Sequence, residues 1–96
     1  FRAAFAANVA SVMTAHVAYP ALDPGGLPAT LSREMITWLL RQQLRYDGLV
    51  VTDALDMRGV LAAAADEGDA AVRALAAGCD MVLAPSDVAA TAAALD

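Results

Sequence analysis

The chain has 96 residues, 59% of them apolar, and a formal charge of −5 from six basic and eleven acidic side chains. The six arginines are scattered, with no basic cluster to follow a phosphate backbone, which argues against nucleic-acid binding. Cys79 is the only cysteine and His16 the only histidine, so no internal disulfide can form and no metal-ligand spacing is present. Alanine supplies 25 of the 96 residues. It favours helix but buries little area, so these residues alone predict a thin core and packing against further chain. The start at Phe1 and the end after an alanine-rich run read as cut ends.

Ala3 to Leu22 contains no Asp, Glu, Lys or Arg, and about 20 apolar residues suffice for a bilayer span. Asn8, Ser11, Thr14, His16 and Pro20 interrupt the run, so it reads as buried globular chain. Within it, Ala10–Ala15 predicts a buried strand. The following segment, Tyr19 to Pro28, is rich in Pro and Gly and reads as a loop, with Gly25-Gly26 as a turn. Ser32 is placed to cap a helix in which Met35, Ile36, Leu39, Leu40 and Leu44 repeat at three- and four-residue steps. Gly48 is expected to stop it in a left-handed conformation.

Leu49-Val50-Val51-Thr52 is apolar and β-branched, as in a strand covered on both faces. Leu55–Ala65 is expected to be helical in part. Asp69 is expected to cap a helix over Ala70–Ala77, ended by Gly78. Met81–Ala84 predicts a third strand, stopped by Pro85, and Ser86 or Asp87 a cap for a last helix, Val88–Leu95. Trp38 and the four methionines read as core or interface residues. Cys79 reads as inert packing.

Strand and helix alternate three times, which predicts an α/β architecture with parallel pairing through right-handed crossovers. The C-terminal strand ends then share one edge, where sites of such folds lie. Here that edge carries His16, Asp53 and Pro85-Ser86, so His16 and Asp53 are expected on one face although 37 positions separate them. Asp53 has two readings on local pattern, a cap for the following helix or a carboxylate aimed into a pocket. Asp56 competes for the second role. His16 is either a satisfied structural residue, a hydrogen-bond donor to a ligand or carboxylate, or a general acid.

Several blocks, in order, resemble the family-3 glycoside hydrolases. They are Val12-Met13-Thr14-Ala15-His16, Tyr19-Pro20-Ala21-Leu22-Asp23, Pro28-Ala29-Thr30-Leu31-Ser32, Leu44 to Met57, and Ala70 to Pro85. The resemblance is closest to the β-N-acetylhexosaminidase branch and covers nearly the whole chain. It implies a (β/α)8 TIM-type barrel, of which residues 1–96 would be the C-terminal portion, roughly the last three strand–helix units. It also implies that Asp53, directly after Val-Val-Thr, is the catalytic nucleophile, which demotes Asp56, and that His16 lies by the sugar-binding subsite.

The implied reaction is retaining hydrolysis of terminal β-N-acetylglucosamine from cell-wall or chitin-type fragments. Asp53 would form a glycosyl-enzyme that water resolves. The proton donor of that branch sits near a Lys-His-Phe-Pro-Gly-His-Gly loop, which these residues do not contain, so the chain alone is expected to be inactive. A β-glucosidase and a phosphorylase would keep the same nucleophile, and a non-catalytic β/α scaffold is the reading of another class. The expected partner is a carbohydrate, with no cofactor, metal, nucleic acid or membrane span.

Overall fold

A computed structural model describes all 96 residues, Phe1–Asp96. The elements in order are helix α1 (Arg2–Ala6), strand β1 (Ser11–Met13), a 3-10 turn (Ala29–Leu31), a wide helix (Glu34–Gln43), strand β2 (Leu49–Ala54), helices α2 (Arg58–Leu61) and α3 (Glu67–Ala77), strand β3 (Met81–Leu83) and helix α4 (Val88–Leu95). The three strands form one parallel sheet in the order β1-β2-β3. Ser11, Val12 and Met13 pair with Leu49, Val50 and Val51. The alternation read from the sequence is therefore the alternation found.

Successive crossovers of one hand, in strand order, put both helical layers on the same side of the sheet. The core lies there, with Ile36, Leu40, Val50, Leu55, Val60, Ala70, Ala71, Ala74 and Ala77 buried together. The alanines of α3 keep its buried face short, so the helix can sit close. The opposite face of the sheet is bare, with Met13, Leu49, Met81 and Leu83 all exposed. Within these 96 residues the central strand is covered on one face only. Val50 and Thr52 are fully buried, while Leu49, Val51 and Asp53 between them are not.

Further readings change. Of the uncharged stretch Ala3–Leu22, only Thr14 and His16 are buried. Phe5 anchors α1 by stacking on Tyr46, with ring centroids 4.8 Å apart. Of the core-or-interface reading for Trp38 and the methionines, the core half does not hold for Trp38, Met13, Met57 and Met81, which are about half exposed. No helix is long and apolar enough to cross a membrane.

Ser32 caps as expected, its Oγ accepting the Met35 N–H at 3.1 Å. The helix it opens is wound more widely than its three- and four-residue periodicity implies, and the Leu44 N–H reaches back to the Leu39 carbonyl at 2.8 Å. The left-handed residue that ends it is Arg45 (φ 55°), not Gly48. Gly48 is small for another reason, since a β-carbon there would collide with the Tyr46 phenol. Asp66, rather than Asp69, caps α3 by accepting the Asp69 N–H at 2.8 Å. Gly78 ends α3 with φ 121°, as read, and Asp87 rather than Ser86 caps α4. The helix expected within Leu55–Ala65 is confined to Arg58–Leu61.

Candidate functional site

The central strand β2 delivers Asp53 to the C-terminal edge of the sheet. The strand runs two residues beyond Thr52, so Asp53 lies inside its end rather than after it. On the β3 side the ladder slips. Val51 pairs with Met81 but Ala54 pairs with Leu83, so β2 carries an extra residue over that interval. Thr52 fills the gap, its Oγ1 accepting the Leu83 N–H at 3.0 Å. Such a bulge re-aims the side chains within it, and this one contains Thr52 and Asp53.

Asp53 is half-buried, and its Oδ1 accepts the N–H of the next residue, Ala54, at 2.8 Å. No helix starts there. Helix α2 opens at Arg58 behind Met57, with no side-chain cap. The capping reading of Asp53 therefore fails, because β2 continues in extended form where a helix would have to begin. The second carboxylate oxygen has no partner within the chain. Asp56 is exposed in the turn after β2 and makes no hydrogen bond.

His16 follows β1 and is buried. Its Nε2 lies 2.9 Å from the Ala54 carbonyl oxygen, and its Nδ1 lies 2.8 Å from Thr30 Oγ1. A carbonyl only accepts, so Nε2 carries a proton. The ring thus joins the end of β1 to the residue after Asp53, as the shared edge predicted. Both of its nitrogens are engaged within the chain. Helix α2 backs onto the His16 main chain at Gly59, where a β-carbon would lie 2.7 Å from the His16 carbonyl oxygen.

The third strand end joins the same edge. The Leu55 N–H donates to the Leu83 carbonyl at 2.9 Å. Beyond it, the Ser86 N–H and hydroxyl both donate to the Glu67 carboxylate, at 2.7 and 2.6 Å.

Sequence reasoning gave no role to Thr30, Thr14 or Asp23. Thr30 Oγ1 lies 2.8 Å from Thr14 Oγ1 as well as from the imidazole. Buried Asp23 accepts from the Gly25 N–H at 2.9 Å and from the Ser32 hydroxyl at 2.6 Å, fixing the loop that carries Thr30. The blocks containing Asp23 and Thr30 were visible as motif, but the contacts link residues 9 to 16 positions apart.

A cavity of about 320 Å³ opens between β1 and the Glu34–Gln43 helix, lined by residues such as Val12, Met13, Met35 and Leu39. It is almost wholly apolar and no carboxylate lines it, so it is not where Asp53 would act. The groups with displaced acidity lie at the entering end of β3. The Asp80 carboxyl is held below its ordinary range, first by the Val50 N–H and then by Arg41. Burial, followed by the Asp80 charge, pushes the Cys79 thiol up to about 11. No group of three or more His, Cys, Asp and Glu side chains is arranged to hold a metal ion.

The family model for the glycosyl hydrolase family 3 N terminal domain matches residues 1–96. A beta-hexosaminidase of Chromobacterium violaceum is 48% identical over 77 residues, which is 80% of this chain and 21% of that protein. A beta-N-acetylglucosaminidase/beta-glucosidase of Cellulomonas fimi is 42% identical over 92 residues, 86% of this chain and 16% of that protein. Among solved structures, a family 3 beta-N-acetylglucosaminidase from Paenibacillus sp. superposes with a TM-score of 0.91 at 46% identity, over 99% of this chain and 18% of the other. The chain spans about a fifth of the length of these relatives.

Proposed function

The chain belongs to glycosyl hydrolase family 3, and from that premise we propose that it supplies the nucleophile, Asp53, of a retaining enzyme that removes terminal β-N-acetylglucosamine. The observation that carries this reading is the setting of Asp53. It is a half-buried carboxylate at the C-terminal end of the central strand, with one oxygen held by the Ala54 N–H and the other without a partner. In this reading the 96 residues form the last three strand–helix units of a (β/α)8 barrel. The single covered face of the sheet supports that placement, since a barrel wall carries its helices on the outside only.

The free oxygen of Asp53 attacks the anomeric carbon, forming a C–O bond as the bond to the leaving oxygen breaks. A proton donor outside these residues protonates that oxygen. Water then attacks the anomeric carbon, passes a proton back to the same group and releases the Asp53 carboxylate. His16 sits beside the sugar subsite and serves it by holding the strand end, since its ring nitrogens are already engaged.

Replacing Asp53 by Ala in the full-length enzyme tests the assignment. The expected loss in kcat is at least about 10³-fold, as for other covalent nucleophiles. Near-normal turnover would sink it. A glucoside preference is the second reading, favoured by the Cellulomonas fimi relative whose name carries both activities. Comparing N-acetylglucosaminide with glucoside, with and without phosphate, separates hydrolase, glucosidase and phosphorylase.

A further inference from the structure

The peptide unit between Ala54 and Leu55 is fixed at both ends. Its carbonyl accepts from His16 Nε2 at 2.9 Å, and its N–H donates to the Leu83 carbonyl at 2.9 Å. Ala54 in turn presents its own N–H to Asp53 Oδ1 at 2.8 Å. The imidazole therefore acts on the Asp53 carboxylate through one intervening residue, and what orients the imidazole matters to the carboxylate.

Three polar atoms surround Thr30 Oγ1. They are His16 Nδ1 at 2.8 Å, Thr14 Oγ1 at 2.8 Å and the Ala15 carbonyl at 3.1 Å. The hydroxyl has one proton to give. The Ala15 carbonyl already receives the Thr30 N–H at 3.3 Å. In the neutral ring, with Nε2 protonated, Nδ1 is an acceptor and has the shorter contact. The Thr30 proton then goes to Nδ1, and the Thr14 hydroxyl donates to Thr30. The result is one directed chain, from Thr14 through Thr30 and His16 to the Ala54 carbonyl. Thr30 is fully buried and Thr14 and His16 nearly so, and no buried side-chain polar atom lacks a partner. A chain of this kind, isolated from water, holds a single orientation.

We propose that Thr30 is a positioning residue of the hydrolase site. Its hydroxyl locks the His16 ring against rotation, and the ring fixes the strand end that aims Asp53. The proposal rests on the assignment of Asp53 as nucleophile. Thr30 touches no reacting atom. Its effect belongs in kcat, because a misaimed nucleophile slows the chemical step while the sugar-binding groups remain.

The test is made in the full-length enzyme with an aryl N-acetylglucosaminide. Thr30→Val keeps the shape and removes the hydroxyl. It is expected to lower kcat between about 10- and 100-fold, the range for a displaced catalytic group, with KM nearly unchanged. Thr30→Ser restores the hydroxyl and recovers most of that loss. His16→Gln keeps a donor for the Ala54 carbonyl but cannot reach Thr30 as well. In that background Thr30→Val is expected to add little, since the two changes break one chain. Should Thr30→Val not fold, Thr30→Ala carries the same expectations. Wild-type kcat in a folded variant lacking the hydroxyl overturns the proposal, as does an equal loss with and without His16. Asp53→Ala is measured in parallel. If that variant is inactive while Thr30→Val is fully active, only the positioning role fails. If Asp53→Ala is active, the nucleophile assignment fails with it.

Discussion

Gly59 and His16 are in direct backbone contact. A β-carbon at Gly59 would stand 2.7 Å from the His16 carbonyl oxygen and 3.0 Å from its β-carbon. In an ordinary helix, alanine in place of glycine contributes about 1 kcal/mol of stability. Here the new methyl meets backbone, which cannot swing aside, and such overpacking costs about 1–3 kcal/mol. The contact should win. In the full-length enzyme Gly59→Ala is expected to lower the unfolding midpoint and to reduce turnover, because the methyl presses on the main chain of His16. Denaturant titration with a parallel assay checks both, and a variant as stable and active as the parent would show that α2 yields instead.

Much of the fold was legible because strand, helix and turn each leave a local mark. Val50-Val51-Thr52, Gly78 and the Ser32 cap all behave as their residue types dictate. What the sequence misstated was non-local. Asp53 and Asp69 each read as caps, yet β2 continues through Asp53, and the extended residue Asp66 precedes α3 and caps it. Gly48 read as a helix stop, while its small size answers to Tyr46. The placement of Asp53 and His16 on one edge was foreseen from topology alone. The link between them through Ala54, and the threonines behind it, depends on side chains meeting across 14 to 38 positions. No periodicity records that.

Asp80 ties the entering end of the sheet together. Its Oδ2 accepts from the Val50 N–H at 2.9 Å and from Arg41 at 2.6 Å, and these contacts hold its carboxyl below the ordinary value of 3.8. The unfolded chain therefore takes up this proton more readily than the folded one. The stability from Asp80 is fully present above about pH 3.8 and is lost as pH falls through the lower folded value. Asp80→Asn should be less stable than the parent at neutral pH, and the gap should close on acidification below that point. Unfolding midpoints of the two proteins across pH 2 to 7 read this directly. A gap that stays constant to pH 2 would place the effect in packing rather than charge.

Cys79 should be silent while the protein is folded. Its thiol is buried and its acidity is moved from 9.0 to about 11, chiefly by burial. Only the thiolate attacks alkylating reagents. At pH 8 the folded protein is expected to leave Cys79 unmodified, and labelling should appear at the rate of unfolding. Burial of the neutral thiol contributes stability below about pH 9.0 that fades as pH rises toward about 11. Peptide mapping after timed alkylation, with and without denaturant, follows Cys79 itself. Rapid labelling of the folded protein would mean that the packing around the sulfur, 3.9 Å from the Thr30 carbonyl oxygen, opens readily.

The bare face of the sheet bears on what these 96 residues can do by themselves. Met13, Leu49, Met81 and Leu83 stand between 37 and 52% exposed on it, and Asp53 alternates with the buried Val50 and Thr52 toward the same side. Contiguous apolar surface of this kind is unusual on a free monomer and invites association. A carboxylate there faces water rather than an enclosed pocket, and water screens its charge. The acid that protonates the leaving oxygen is also expected outside these residues. Produced alone, the 96-residue chain should bind an apolar dye such as anilinonaphthalene sulfonate strongly and release no phenol from an aryl N-acetylglucosaminide above the buffer rate. Turnover that disappears in Asp53→Ala would mean that a proton donor also lies within the chain, with exposed Asp56, three positions along, as the first candidate.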